Sequence, residues 1–298
     1  MSLSFVFPLL VVAAAFTLVQ VLCRWLPPRA AAQAHAVVGV AAASAWLWTL
    51  FALTFGALAE QTEVERWVGW CPRLYLADDH VPWWVGLAAG SLLAASLAGI
   101  GRVSVAQIRL RRALPDCDGS GLLLVDSATP IAFTVPGRRG GVVVSRGMMA
   151  ALDRDEQSVL WAHERAHLRN HHHRYLLAAD LVAGVLPLLR PLAARINYSL
   201  ERWADEDSAS ETGDRRLVAR AIAKAALASV AHRDVRLAMA SSSVPARVDA
   251  MLTLPRSRGL AATLVVLSVT GLSVMTVGGS TVQLHHLFVF ARHLCGGG

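Results

Sequence analysis

The feature that most constrains this chain is a set of long stretches with no Asp, Glu, Lys or Arg. They run from Leu3 to Cys23, Ala30 to Ala59, Val81 to Gly101 and Gly259 to about Ser280. A helix needs about 20 apolar residues to cross a bilayer core. A soluble core does not require uninterrupted runs of that length. Across its 298 residues the chain is 55% hydrophobic and only 16% charged, too apolar for an ordinary soluble domain of this size. The spacing predicts transmembrane helices at about 3–23, 35–58 and 82–101, with a fourth within 259–298. No Lys or Arg precedes the first run, so the positive n-region of a cleaved signal is missing and the run reads as a retained span.

The net charge of +7 raises the question of nucleic acid, and its distribution answers it. Arg24 and Arg29 follow the first span. Arg102, Arg109, Arg111 and Arg112 follow the third, and Arg256 and Arg258 precede the fourth. Glu60, Glu63, Glu65, Asp78 and Asp79 make the 60–80 loop acidic. Positive residues stay on the cytoplasmic side of a membrane. All these groups agree on one multi-pass topology. The N- and C-termini are outside, the 60–80 loop is outside, and 102–258 is cytoplasmic. The arginines flank spans instead of forming one face, so direct nucleic-acid binding is not expected. Trp25, Trp67, Trp70, Trp83 and Trp84 lie at span ends, as interfacial aromatic belts do. Cys23, Cys71, Cys117 and Cys295 show no C-x-x-C spacing. Cys71 and Cys295 both fall outside, where a disulfide or two free thiols remain open.

Residues 102–258 are of ordinary single-domain size. Arg102 to Leu114 reads as a basic helix leaving the membrane, and Pro115 to Gly121 as a turn. Leu122–Val125, Ile131–Val135 and Val142–Ser145 are short apolar runs, the last two separated by Pro136-Gly137 and Gly140-Gly141, as in a hairpin or small sheet. Beyond Arg146 the pattern is helical. One helix starts at Asp155 as N-cap and runs to about Asn170, and others are expected near 174–194, 197–212, 214–231 and 245–253. The apolar stretch 175–189 is interrupted by Asp180 and short for a span, so it should lie against the domain or the membrane surface. The whole is expected to be a mainly α integral membrane protein, with four transmembrane helices and a cytoplasmic α+β domain.

Within the domain, Trp161-Ala162-His163-Glu164-Arg165-Ala166-His167 contains H-E-x-x-H. Residues four apart share one helical face, so two imidazoles can converge on one ion. Glu164 then sits at the edge of that face, where it can reach a metal-bound water as a general base. Downstream, Glu201 and Asp205 are also four apart. A catalytic zinc takes three protein ligands and keeps one position for water. Glu201 would be the third ligand, and Asp205 would orient a ligand histidine through its free N–H. Glu206 and Asp207 point elsewhere and should be solvated. His171 continues the i,i+4 row one turn further on, and His171, His172 and His173 read as a polar helix end. His35, His285 and His286 fall near span ends.

H-E-x-x-H followed by E-x-x-x-D resembles the gluzincin peptidases of the HtpX and CAAX prenyl-protease type. Three spans, a zinc domain and a fourth span resemble the BlaR/MecR antirepressor peptidases. Gly141 to Gly147 resembles the strand-to-helix lead-in of both groups, and Arg247-Val248-Asp249-Ala250-Met251 their later Arg-apolar element. The resemblance implies one Zn2+ per chain, held by His163, His167 and Glu201, with Glu164 as catalytic base. It also implies a bacterial inner-membrane location and cleavage of a protein substrate at the cytoplasmic face. In the BlaR/MecR group that substrate is a DNA-binding repressor; in the HtpX group the role is membrane-protein quality control. The sequence ends shortly after the fourth span, so the penicillin-binding sensor of the best-known BlaR/MecR members is not expected. A signal would enter through the 60–80 loop, the spans or a partner. An edge strand within 130–145 could hold substrate extended. Arg215, Arg216 and Arg247 are the candidate oxyanion donors. A non-catalytic zinc-containing transducer is the competing class, and it has no need of Glu164.

Overall fold

The computed structural model describes residues 23–59, 81–114, 121–137, 140–231 and 243–253, with a few isolated positions elsewhere. The expected first and fourth spans, the 60–80 loop, Cys71, Cys117, Cys295, His285 and His286 lie outside the described residues. Helix α1 covers Pro28–Ala59 and helix α2 covers Trp83–Ala113. Both are long and apolar enough to cross a membrane. They run antiparallel: Gly86 lies against Ala57, Gly90 against Thr54, and the Trp46 indole donates to Ser96 Oγ at 3.3 Å. Helix α2 leaves Trp83, Trp84, Leu87, Leu92 and Leu97 exposed. Such a row is costly in water and favourable against lipid. The expected second span thus begins earlier, at Pro28, and the third continues without a break into the basic helix that ends with Arg111 and Arg112 in its last turn.

The small sheet follows. Strands β1 (Leu122–Val125), β2 (Ala132–Val135) and β3 (Gly141–Ser145) are arranged in the order β1-β3-β2. β1 is parallel to β3, and β2 is antiparallel to it. β3 is central and buried along its length, as its Val-rich sequence requires. Ser145 ends it and caps helix α3 (Arg146–Ala151) by accepting from the Met148 N–H at 3.1 Å.

Helix α4 (Arg154–Arg169) carries the H-E-x-x-H run. Its N-cap is Asp153, two residues before the expected Asp155. Asp153 accepts from the Glu156 N–H at 3.0 Å while Glu156 accepts from the Asp153 N–H at 3.0 Å, a capping box. Glu156 is fully buried and also receives Lys224 from helix α7 (Arg215–Ala231) at 2.6 Å, which ties the two helices together.

Chain direction then reverses at His171, whose φ of 52° is left-handed. The expected 174–194 helix is instead broken. Helix α5 (His172–Val185) stops before a 3-10 turn at Pro187–Leu189, and helix α6 (Arg190–Thr212) begins there. Pro187 and Pro191 explain the break, because proline lacks the N–H a continuing helix needs. Fourteen helical residues rise about 21 Å, short of a bilayer core of about 30 Å. Helices α5 and α6 pack on each other as a hairpin. The hairpin packs on α1: Ala32, Ala36 and Ala43 share one core with Ala179, Val182, Val185, Leu192, Ile196, Leu200 and Trp203. Helix α2 contributes its closest approach at Gly99, where an added Cβ would stand 1.9 Å from the Gly184 carbonyl oxygen. Small residues at such crossings let helix backbones touch, as they do in membrane bundles. Stretch 175–189 thus lies against the apolar helices and does not form a further span. Helix α6 ends at Gly213, left-handed at φ 72°, and helix α8 (Val244–Leu252) completes the described chain. Val159, Ala209, Val218, Ala221 and Met251 bind α4, α6, α7 and α8 into a second core.

Candidate metal centre

The hairpin brings the middle of α6 across the H-E-x-x-H face of α4. His163 Nε2 lies 3.1 Å from His167 Nε2 and 3.4 Å from Glu201 Oε2, and His167 Nε2 lies 3.6 Å from Glu201 Oε1. Ligands bound to a tetrahedral zinc at about 2.0–2.2 Å stand roughly 3.3–3.6 Å apart. The three side chains fit one face of such a tetrahedron. Among the described residues they form the one His/Cys/Asp/Glu cluster with metal-ligating geometry.

Electrostatics favour a cation at that point. Burial alone would lower His163, but hydrogen bonds and charge from Asp205 and Glu201 outweigh it and hold the imidazole up to about 10. Burial alone would raise Glu201, but His163 and Arg247 outweigh it and hold the carboxylate well below the usual range. Burial lowers His167 to about 3, so its ring is neutral and offers a lone pair. Burial raises Glu164 to about 7, a value suited to a base that must take and release a proton near neutrality.

Asp205 is fully buried and accepts from His163 Nδ1 at 3.1 Å. Its own support was not legible in the sequence. Arg247 on α8 donates to both Asp205 oxygens, Nε at 2.8 Å and Nη2 at 2.7 Å, and its Nη1 reaches Glu201 Oε2 at 2.9 Å. That guanidinium is fully engaged in orienting carboxylates. Arg215 is engaged as well, on Glu206 and on the carbonyls of Ala250 and Met251. Arg216 is exposed. Glu206 and Asp207 are also not simply solvated. Glu206 pairs with Arg202 and Arg215, and Asp207 accepts from Asn170 at 2.7 Å and Arg169 at 2.9 Å.

The histidine run departs most from expectation. His171 is exposed, but His172 is fully buried, and its Nδ1 lies 2.9 Å from His167 Nδ1. The i,i+4 row pointed to His171, and only the left-handed turn at that residue swings His172 beneath the site.

A cleft of about 190 Å³ opens on the centre. His163, Glu164, Glu201, Asp205 and Arg247 line one part of it. Uncharged residues line the rest, among them Met148, Leu152 and Ala221, Ala225 and Ala226 of α7. Ala132 places the edge strand β2 at its margin, inside the expected 130–145 range.

Residues 118–242 match the model of peptidase family M48. That stretch begins shortly before β1 and ends beyond α7, so it contains His163, His167 and Glu201 and the two helices that carry them. Two curated proteins named Protease HtpX homolog, from Listeria monocytogenes serotype 4b strains CLIP80459 and F2365, are 35% identical to this chain over 77 residues. The aligned part is 25% of this chain and 25% of each relative, so the chain aligns with about a quarter of the length of those relatives. No solved structure matches the chain. Peptidases of family M48 are zinc-dependent metallopeptidases, and the matched segment is similar to them.

Proposed function

We propose that the protein is a membrane-bound zinc endopeptidase that cleaves protein substrates at the cytoplasmic face. The carrying observation is the tetrahedral spacing of His163 Nε2, His167 Nε2 and Glu201, with Glu164 lining the same cleft. Bound zinc would lower the pKa of its water toward 7 and polarise the scissile carbonyl. Glu164 takes the proton of the attacking water on a carboxylate oxygen and returns it to the leaving nitrogen. Asp205 and Arg247 keep His163 and Glu201 in place while this happens. β2 offers an edge on which an extended substrate can lie. The uncharged cleft wall favours an apolar side chain next to the cut bond.

The site lies at the end of α1 that carries Arg29 and the end of α2 that carries Arg109, Arg111 and Arg112. Under the positive-inside tendency that end is cytoplasmic. An HtpX-type protease acting on membrane proteins is the reading that the similarity to HtpX homologues supports. Cleavage of a DNA-binding repressor in the BlaR/MecR manner is the second, supported by the order of spans expected from the sequence. A non-catalytic transducer is disfavoured by the raised, cleft-lining Glu164.

The test is Glu164→Gln in the full-length protein. We expect about one zinc per chain to be retained and casein cleavage to stop. Cleavage that continues unchanged would remove Glu164 from the reaction. Co-expression with a repressor encoded next to the gene separates the two substrate readings, since only the second expects that repressor to be cut.

A further inference from the structure

Metal-bound imidazoles generally donate their second N–H to a carboxylate, a carbonyl or water, which fixes tautomer and aim. His163 does this with Asp205. His167 meets neither a carboxylate nor a carbonyl there; it meets the ring of His172. The two Nδ1 atoms are 2.9 Å apart and the rings stand at 90°, with centroids 4.7 Å apart.

That contact fixes both tautomers. His167 turns Nε2 toward His163 and Glu201, so its proton belongs on Nδ1. His172 must then accept on Nδ1 and carry its own proton on Nε2. The His172 Nε2 is buried with no hydrogen-bond partner. It is a group the fold alone has no reason to keep, because an apolar side chain of similar volume would remove an unsatisfied donor. His172 is held from its other side by Trp203, at 4.7 Å between centroids, and Trp203 is in turn covered by Tyr175 and by the Arg29 guanidinium at 5.4 Å. The left-handed His171 sets the start of α5 so that the ring arrives beneath His167. A fully buried histidine with one nitrogen spent on His167 and one left orphaned is best explained by the demand of His167.

We infer that His172 is a positioning residue, which holds His167 in its Nδ1–H tautomer and aims Nε2 at the metal position. This rests on the zinc-peptidase reading. His171 and His173 have no such role: their rings contact each other, 5.9 Å between centroids, and not the centre.

The test is zinc affinity by chelator competition, on full-length detergent-purified protein, with metal-free thermal stability measured in parallel. His172→Leu removes the acceptor and keeps the volume. Zinc affinity should fall about 10–100-fold. Metal-free Tm should stay level or rise, which a purely structural residue would not allow. His172→Asn offers Oδ1 near the place of Nδ1, so its affinity should stay within about threefold of wild type. His173→Asn should match wild type. Wild-type affinity in His172→Leu overturns the inference, and so does a His172→Asn variant that loses as much as His172→Leu. Should His172→Leu fail to fold, His172→Met takes its place as the variant without an acceptor, under the same criteria. A wild-type protein that takes up no zinc overturns the peptidase reading and this inference with it; normal zinc uptake with an indifferent His172→Leu overturns this inference alone.

Discussion

Asp205→Ala is the substitution whose cost follows most directly from the geometry. The Asp205 carboxylate is fully buried and accepts three charge-assisted hydrogen bonds, two from Arg247 and one from His163. Removing one partner of a buried ion pair costs about 3–5 kcal/mol, because the other charge stays buried without it. Arg247 retains Glu201, at 2.9 Å, so the lower half of that range is expected. For a domain of this size each kcal/mol moves Tm by roughly 2–4 °C, so Tm should fall by roughly 6–16 °C. Zinc affinity should fall by about 10–100-fold as His163 loses its orientation. Burial would raise Asp205, but Arg247 and His163 outweigh it and hold it below the usual carboxylate value. Its stabilising contribution is therefore present above the unfolded pKa of about 3.9 and is lost as pH falls through the lower folded value. Asp205→Asn should flatten the acid limb of the stability profile. The assay is thermal unfolding of full-length protein in detergent from pH 3 to 8, with chelator competition at neutral pH. A Tm within 2 °C of wild type together with unchanged zinc affinity would refute the reasoning.

Three further outcomes are expected. In metal-free protein, burial raises Glu164 from 4.5 to about 7, so the fold favours its neutral form and its contribution to stability falls as pH rises from about 4.5 toward 7. Metal-free Glu164→Gln should be more stable than wild type above pH 7, by up to about 3 kcal/mol, read from paired melting curves. Gly99→Ala would push a Cβ into the Gly184 carbonyl, whereas Gly101 has nothing within 4 Å of the same position. Gly99→Ala should cost about 1–3 kcal/mol and Gly101→Ala should not, as judged by Tm. Ala225→Phe narrows the apolar part of the cleft beside Met148 and Leu152, so cleavage next to bulky apolar residues should fall while cleavage next to Ala persists, measured with a peptide library.

How far the sequence carried these conclusions depended on distance along the chain. His163, Glu164 and His167 were legible because helical spacing alone puts them on one face. Glu201 and Asp205 were legible because the same spacing recurs on a second helix. The strands were found almost to the residue, since Gly121, the Asp126–Pro130 stretch, Pro136-Gly137 and Gly140 punctuate the three runs. The helix start was misread at Asp155 although Glu156, three residues after Asp153, already spelled a capping box. Arg247 could be suspected but not assigned, because its bidentate grip on Asp205 is set by how α8 packs on α6. His172 was hidden behind His171, since no periodicity anticipates a left-handed residue at that point. The break at 186–189 was signalled by Pro187 and Pro191. Its consequence was not: a hairpin buried against α1 and α2 is a tertiary outcome of small residues such as Gly99 and Gly184.

Zinc-edge X-ray absorption on the purified full-length protein is the most direct test of the centre. The account predicts one zinc per chain, two imidazole nitrogens and carboxylate or water oxygen at about 2.0–2.2 Å, with the ion lost or much weakened in Glu201→Ala. A shell containing sulfur at about 2.3 Å, or a first shell unchanged in Glu201→Ala, would contradict it.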